Sequence, residues 1–162
     1  MGSSDPAGNP FPEVAVLRGS TGAKIDDRGR LKVPADFRRI LEDKYGYQMF
    51  VTSYDARSVR IYPFPVWHEI ELRMEKLPST HPTRRRFSLQ VNSHGAQTTM
   101  DKQGRILIPD KLRQLAKVDE KADVRVIGQQ NYLDVWNEDL LKKTLEQPLS
   151  EEDLKTLADL GI

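Results

Sequence analysis

The sequence predicts an α+β protein in which one β-rich unit is used twice and helices flank both copies. Residues 25–38 are repeated at 100–113, an offset of 75 positions. Each copy is followed by two short runs in which apolar and polar residues alternate, as they do in half-buried strands. Longer apolar runs with helical spacing lie between the copies and after the second one. These three observations define the predicted fold class.

The repeat is too specific to arise by chance. The two copies read IDDRGRLKVPADFR and MDKQGRILIPDKLR, with five identical positions and four more that share apolar character. The identical pairs are Asp26 and Asp101, Gly29 and Gly104, Arg30 and Arg105, Pro34 and Pro109, and Arg38 and Arg113. Self-similarity at one fixed distance indicates a single structural unit that is present twice.

Each unit is predicted to fold as β-β-α-β-β. A short strand enters a tight turn in which Gly29 or Gly104 supplies a positive φ, and a second strand returns from the turn as a hairpin. Pro34 and Pro109 stand where a helix begins, since proline is tolerated at the start of a helix. Two more strands follow the helix. The strands are expected at 22–26, 30–33, 49–54 and 58–62 in the first unit, and at 96–101, 105–108, 124–128 and 132–136 in the second.

The two units are expected to pack against each other. A unit of about 45 residues is too small to bury a sufficient core by itself. Pairing the units as a pseudo-twofold unit solves this problem. Trp67 and Trp136 lie on apolar stripes, and we expect them in the core rather than on a surface that stacks on bases.

Helices are predicted outside the two units. The segment 65–77 carries its apolar residues on one face, and the segment 83–93 opens with three consecutive arginines, which we expect to form a solvated face. Near the end of the chain, Ser150 and Asp153 form a capping-box pattern ahead of a leucine stripe. The apolar stripes of 65–77 and 150–160 are candidate contact surfaces between copies of the chain.

Composition excludes several classes of protein. The 162 residues include no cysteine, which excludes disulfides, thiolate metal sites and a cysteine nucleophile. No run approaches the ~18 consecutive apolar residues of a membrane span, and no secretory signal opens the chain. The three histidines fit no metal pattern, and no nucleotide-binding loop or nucleophile motif is present. We therefore expect a soluble cytoplasmic protein that is not an enzyme, with a disordered segment at 1–14 and no catalytic residue, metal, cofactor, small-molecule substrate or membrane partner.

Positive charge is concentrated around the repeated motif. The chain as a whole has a net charge of only +1, but 18–39 holds seven basic and three acidic side chains, and 84–113 holds seven basic and two acidic ones. If the fold brings these two segments to one face, a nearly neutral protein still presents a basic surface to a polyanion.

The doubled D-x-x-G-R-[LI]-x-[VI]-P pattern closely resembles the MraZ proteins of bacteria, which carry two AbrB-like (SpoVT-AbrB) modules in one chain. The resemblance extends to the run IYPFPVW at 61–67, to the three arginines at 84–86 and to the run HGA at 94–96. It covers about residues 15–147. It implies AbrB-like modules of the swapped-hairpin type at 20–67 and 96–139, joined by linking helices at 68–95 and followed by C-terminal helices at 140–162.

The same resemblance implies a function. Members of this family are transcription regulators that bind DNA upstream of the division and cell-wall gene cluster. They read short G-rich direct repeats as a ring-shaped homo-oligomer. By this resemblance we expect double-stranded DNA as the partner, a homo-oligomer, and a location in the cytoplasm at the nucleoid.

The turns supply the candidate DNA-binding residues. The family signature D-x-x-x-R falls on Asp26 and Arg30 and on Asp101 and Arg105, with Gly29 and Gly104 shaping the turns. Arginine can donate two hydrogen bonds to one guanine in a major groove that a β-ribbon can enter. The basic residue before the first glycine is Arg28, whereas the second unit has Gln103 there and Lys102 one position earlier. The predicted DNA-binding residues are Arg28, Arg30, Lys32, Lys102 and Arg105.

Other interpretations stay open at this point. Each arginine of the signature can form a salt bridge to the aspartate of its own turn, alone or as a way of orienting the arginine for DNA. Lys24, Arg38 and Arg113 can be solvated or can contact phosphate. A module of the same fold could bind an acidic protein partner, and an enzyme with an acid/base site around Asp26 and Asp101 is a third alternative, without a supporting motif.

Overall fold

The computed structural model describes residues 16–162, and the segment 1–14 that was expected to be disordered lies outside them. The strands are β1 (Leu17–Ala23), β2 (Arg30–Lys32), β3 (Gln48–Thr52), β4 (Val59–Pro63), β5 (Ala96–Thr99), β6 (Arg105–Leu107), β7 (Val124–Gln130) and β8 (Leu133–Asn137). The helices are α1 (Ala35–Ile40, continued by a π-helical turn over Leu41–Tyr45), α2 (Phe64–Met74), α3 (Pro82–His94), α4 (Asp110–Ala116), α5 (Glu138–Leu145) and α6 (Glu151–Asp159). The fold is thus a mixture of helices and short strands, as predicted.

The strands of the two repeats interleave. Six of them form an antiparallel sheet in the order β1-β7-β8-β4-β3-β5, and β2 pairs with β6 in a separate two-stranded ribbon. Strand β1 of the first repeat pairs with β7 of the second, and β3 pairs with β5. The only strand neighbours from the same repeat in these two sheets are β3 with β4 and β7 with β8.

The hairpin predicted within each unit is shorter than expected. In the first unit, one isolated bridge, between Ile25 and Leu31, joins the segments on either side of the turn. The first strand ends at Ala23 rather than at residue 26, and its seven residues are in register with β7. The hairpin itself is short: the N–H of Asp26 donates to the carbonyl of Arg30 at 2.9 Å, and the N–H of Lys32 donates to the carbonyl of Lys24 at 3.3 Å. The regular ladders of β1 and β2 pair with strands of the other repeat.

The contacts between the repeats come in matched pairs. The backbone N–H of Val33 donates to the carbonyl of Gly104, and that of Ile108 donates to the carbonyl of Gly29, both at 2.9 Å. Each of these bonds runs from one repeat to the turn of the other. Exchanging the two repeats leaves the pattern unchanged, as expected for pseudo-twofold packing.

The main core draws on both repeats equally. Leu31 and Val33 from the first repeat and Ile106 and Ile108 from the second are buried in one cluster with the inner face of the sheet. Helices α1 and α4 add Phe37 and Leu112 to it, and each begins directly after the predicted proline, Pro34 or Pro109. The ribbon of β2 and β6 is therefore held in place by side chains from the whole molecule.

A second, aromatic cluster lies against α2 and α3. Phe50 stacks on Trp67 with ring centroids 4.5 Å apart, and Tyr62 and Val91 are buried beside them. Trp67 and Trp136 are both buried, which confirms their predicted place in the core. Among residues 16–162, no helix is long and apolar enough to cross a membrane.

The C-terminal helices confirm one local prediction. The hydroxyl of Ser150 accepts a hydrogen bond from the N–H of Asp153, and the carboxylate of Asp153 accepts one from the N–H of Ser150, which completes the capping box of α6. Helix α6 contributes no buried side chain to its own chain. Its leucine stripe therefore remains uncovered.

Candidate nucleic-acid interface

The first of two matching turns spans residues 26–30 and is closed by the carboxylate of Asp26. Its Oδ1 accepts hydrogen bonds from the backbone N–H groups of Arg28 at 3.0 Å and Arg30 at 2.8 Å. Its Oδ2 accepts a third from Nε of Arg30 at 2.8 Å. The backbone N–H of Gly29 adds a bond to the carbonyl of Asp26 at 3.0 Å. A turn bonded at so many points holds the Arg30 side chain in a defined direction.

The second turn, residues 101–105, has the same geometry. Oδ1 of Asp101 accepts from the N–H groups of Gln103 and Arg105, both at 2.9 Å, and Oδ2 accepts from Nε of Arg105 at 2.8 Å. The salt bridge that the sequence left open as an alternative therefore forms in both turns. It occupies only one edge of each guanidinium group.

Arg30 and Arg105 keep their terminal nitrogens available. Both side chains are partly exposed. Among the described residues, the side-chain hydrogen bonds of both arginines run through Nε alone, so neither Nη atom has a protein partner. The two Nη groups form the end of a planar donor fork, which matches an acceptor pair such as guanine O6 and N7. Asp26 and Asp101 thus orient the arginines without using up their donors.

Glycine is required at both turns for two reasons. Gly29 has φ +82° and Gly104 has φ +77°, in the left-handed region that side chains disfavour. A Cβ at Gly29 would lie 2.5 Å from Cζ of Arg113, and one at Gly104 would lie 2.6 Å from Cδ of Arg38. Each glycine therefore shapes its own turn and leaves room for an arginine of the other repeat.

Arg38 and Arg113 each lie against the turn of the other repeat, at Gly104 and Gly29 respectively. Arg38 donates through Nη2 to the carbonyl of Lys102 and through Nε to Glu42 at 2.8 Å. Arg113 donates through Nε to the carbonyl of Ile108 at 2.9 Å and pairs with Asp110. Both guanidinium groups hydrogen-bond within the protein, which gives them a structural role at the turns, and their contact with phosphate stays a prediction. Their identity in both repeats was the sequence signal for the structural role.

Lys32 lies at the turn of the other repeat. Its ammonium group donates to the carbonyl of Gln103 at 2.7 Å, although it follows the first turn in sequence. Lys102 and Gln103 are exposed in the second turn, as Arg28 is in the first. Lys32 and Lys102 therefore flank the same turn. Lys32 thus supplies a basic side chain at the second turn, where Gln103 stands at the position equivalent to Arg28.

The fixed turns change the acidity of their aspartates. The backbone N–H of Arg30 holds the pKa of Asp26 below its usual value, with further lowering from the Arg30 side chain and the N–H of Arg28. The corresponding bonds from Arg105 and Gln103 lower the pKa of Asp101 to about 2. Both carboxylates therefore remain ionised throughout the neutral range.

Acid is expected to weaken the second turn in a defined pH window. Because the pKa of Asp101 is lower in the folded protein than in an unfolded chain, its contribution to stability is complete above pH ~4. It is lost as the pH falls towards the folded value of about 2. Urea unfolding between pH 6 and 2 should show the stability difference between the protein and its Asp101→Asn variant shrinking over this window.

The matched control for this measurement is Asp27→Asn, at an exposed aspartate that closes neither turn. Its stability difference from the parent protein should change less with pH. An Asp101→Asn difference that stays the same at pH 6 and pH 2 would contradict the role given to this carboxylate.

The carboxylates that close the two turns are engaged by hydrogen bonds within those turns. Among residues 16–162, no group of three or more His, Asp or Glu side chains is placed to hold a metal ion. Asp26 and Asp101 are each engaged with the arginine of their own turn. Each aspartate is placed to orient the guanidinium group of that arginine.

Comparison with known proteins places the chain in a family. The sequence profile described as "MraZ protein, putative antitoxin-like" matches residues 16–90 and 93–160. The chain is 45% identical over 149 residues to the transcriptional regulator MraZ of Koribacter versatilis, and 39% identical over 148 residues to that of Acidobacterium capsulatum. Each alignment covers 91% of this chain and 100% of the relative. The MraZ regulator of Escherichia coli O127:H6 is 32% identical over 142 residues, 87% of this chain and 92% of its own. With both repeats matched by one profile and these relatives aligned along most of their length, the chain belongs to the MraZ family.

Proposed function

We propose that this chain is a transcription regulator that binds duplex DNA in a sequence-specific way through its two turns. The observation that carries the proposal is the pair of arginines, Arg30 and Arg105, whose Nε is fixed by an aspartate while both Nη groups have no partner among the described residues. The names of the relatives, transcriptional regulators, support the same function.

The proposed reading step is a bidentate contact to guanine. The two Nη groups of Arg30 or Arg105 donate to O6 and N7 of one guanine in the major groove, the commonest specific contact between arginine and a base pair. Holding Nε on Asp26 or Asp101 reduces the side-chain entropy that is lost on binding. One fixed fork in each turn favours short G-rich sites.

Phosphate contacts are assigned to the basic residues around the forks. Arg28 lies in the first turn, while Lys102 and Lys32 lie at the second. Their positive charge would neutralise phosphates on either side of the contacted base and fix the orientation of the protein. They add affinity without sequence information.

A DNA site made of direct repeats suits a protein that binds as several identical subunits. Two small turns bury little surface, so one copy binds weakly, while linked copies raise the overall affinity by roughly 100- to 10,000-fold. We therefore propose a homo-oligomer, built as a ring, on direct repeats upstream of the division and cell-wall gene cluster, in the cytoplasm at the nucleoid. The resemblance to MraZ proteins supports each of these points.

The interleaved strands support the swapped-hairpin assignment of the two AbrB-like modules. β2 pairs with β6, and β1 with β7, across the repeats. An exchange of strands between modules is what a swapped hairpin requires. On this basis both turns belong to one rigid DNA-reading unit.

A protein partner with acidic groups is the second candidate. The same arginine forks fit a carboxylate bidentately, and the family description includes the word antitoxin-like. Such a partner would compete with DNA for the forks but would give no preference among DNA sequences. DNA titrations therefore distinguish the two candidates.

A salt titration on two DNAs tests the proposal. Binding to repeat-containing and to scrambled duplexes should fall linearly on a log–log scale, by roughly 0.9 per phosphate neutralised. Arg28→Ala or Lys32→Ala should flatten the slope by about one unit for each lost phosphate contact. The preference for the repeats should remain at salt concentrations where the scrambled DNA no longer binds.

Lys142→Gln is the control for these variants, because it removes a charge from α5 rather than from a turn. Its slope should equal that of the parent protein. Equal binding to both DNAs at every salt concentration would refute sequence-specific recognition and favour the acidic-partner candidate.

A further inference from the structure

The outer face of the β2–β6 ribbon carries both arginine forks. In each of these three-residue strands the middle residue is buried, while the first and the third lie on the opposite side of the ribbon. The outer face therefore consists of Arg30 and Lys32 from β2 and Arg105 and Leu107 from β6. Any DNA that the forks bind lies against this face.

The two forks have different neighbours across the ribbon. The strand register places Leu107 directly opposite Arg30, and Lys32 directly opposite Arg105. Residues opposite each other on one face of an antiparallel pair have Cβ atoms about 4.5–5.5 Å apart, so their side chains reach the same small area. Lys32 and Leu107 occupy equivalent positions of the two repeats, 75 residues apart. One fork therefore stands beside an ammonium group and the other beside an apolar side chain.

Leu107 is unusual among the strand residues of this protein. It is 46% exposed, and it is the only large apolar side chain within the described strands that is exposed. Ile106 beside it is fully buried. An exposed leucine gains free energy when binding removes it from water, provided that the surface it meets is also apolar.

The major groove offers one apolar group to such a side chain. A two-stranded ribbon fits this groove, where the base edges present hydrogen-bonding groups and the C5-methyl group of thymine. Successive base pairs are about 3.4 Å apart along the helix axis. With Arg30 on a guanine, its cross-strand neighbour Leu107 is placed at an adjacent base pair. Against any base other than thymine, the leucine would displace water from polar groups without replacing their hydrogen bonds.

We propose that Leu107 is a specificity-determining residue that contacts the C5-methyl group of a thymine in the base pair next to the guanine bound by Arg30. The Arg105 fork has Lys32 beside it and carries no such preference. The first turn thus reads two adjacent base pairs, and the second turn reads one. This inference rests on the proposed function, because it requires the ribbon to lie in a major groove.

Removing the methyl group from the DNA tests the contact with the unaltered full-length protein. In the repeat-containing duplex, each base pair next to a guanine is changed in turn to T·A, A·T, G·C or C·G, and each thymine is then replaced by deoxyuridine, which lacks only the methyl group. Fluorescence anisotropy gives the affinities. We expect a preference for thymine at one of these positions, and a loss of roughly two- to fivefold for each contact when deoxyuridine replaces it.

Three variants connect this preference to Leu107. Leu107→Ala should bind the thymine and deoxyuridine duplexes equally, whereas Leu107→Met keeps an apolar side chain and should retain most of the preference. The matched control is Leu115→Ala, which makes the same truncation at a 36% exposed leucine on α4. Its preference should equal that of the parent protein. Circular dichroism checks that each variant is folded.

The outcomes separate this contact from the proposed function. A parent protein that binds repeat-containing and scrambled DNA equally would refute the proposed function, and this inference with it. A parent protein that prefers the repeats but binds thymine and deoxyuridine equally at every position would refute the Leu107 contact alone. So would a Leu107→Ala variant that keeps the parent ratio, or a Leu115→Ala variant that loses it to the same extent.

Discussion

Replacing both Arg30 and Arg105 by alanine is expected to remove the preference for repeat-containing DNA while the protein stays folded. Each lost bidentate contact to guanine should cost about 1–3 kcal/mol. The two losses of binding free energy should add in every subunit that binds DNA. Stability should change little, because each aspartate still accepts the backbone N–H groups that close its turn. Fluorescence anisotropy with repeat-containing and scrambled duplexes measures both affinities.

Two control variants sharpen this prediction. Arg30→Lys keeps the positive charge but lacks the planar fork, so it should lose base preference and retain most of the salt-dependent affinity. Arg39→Ala removes an exposed arginine on α1 whose nearest carboxylate, on Asp36, lies 3.9 Å away, and it should preserve the preference. A folded Arg30→Ala, Arg105→Ala double variant that still prefers the repeats would refute the assigned role.

Leu31→Ala is expected to destabilise both repeats together. Leu31 is fully buried on β2, directly opposite Ile106 on β6, which is also fully buried. Removing a buried leucine side chain costs about 2–5 kcal/mol when the cavity cannot collapse. Because the ribbon belongs to both repeats, urea unfolding should keep a single transition at a lower midpoint.

Leu107→Ala is the matched control on the same ribbon. Leu107 lies beside Ile106 on β6 but is 46% exposed, so the free energy of unfolding should change by less than about 0.5 kcal/mol. Two separate transitions in Leu31→Ala, one of them at the parent midpoint, would show instead that the repeats fold independently.

The local sequence was sufficient to predict most features of the turns. The spacing of Asp26, Gly29 and Arg30 predicted a tight turn with positive φ, and its copy at 101–105 has the same bonds within 0.1 Å. The prolines before α1 and α4 and the capping box of α6 were predicted equally well. These features depend on residues at most five positions apart, so their physical cause lies within the local segment.

All five predicted DNA-binding residues remain predictions. The contacts of Arg28, Arg30, Lys32, Lys102 and Arg105 with DNA rest on the geometry of the turns and on the family resemblance. In the sequence Lys32 follows the first turn by two residues. The hydrogen bond to Gln103 places it at the second turn, so its effect on DNA binding should be grouped with that of Lys102.

The sequence by itself determined the duplicated unit, the design of its turns, its helix starts and the family. Only the tertiary structure decided which strands pair, that Arg38 and Arg113 support the turn of the opposite repeat, and that the leucines of α6 remain uncovered. The physical reason is that alternation along a strand specifies which side chains face the core but not which backbone completes its hydrogen bonds. In this protein that choice depends on how two similar units fill one core, and so β1, β2, β5 and β6 take their regular ladder partners from the other repeat.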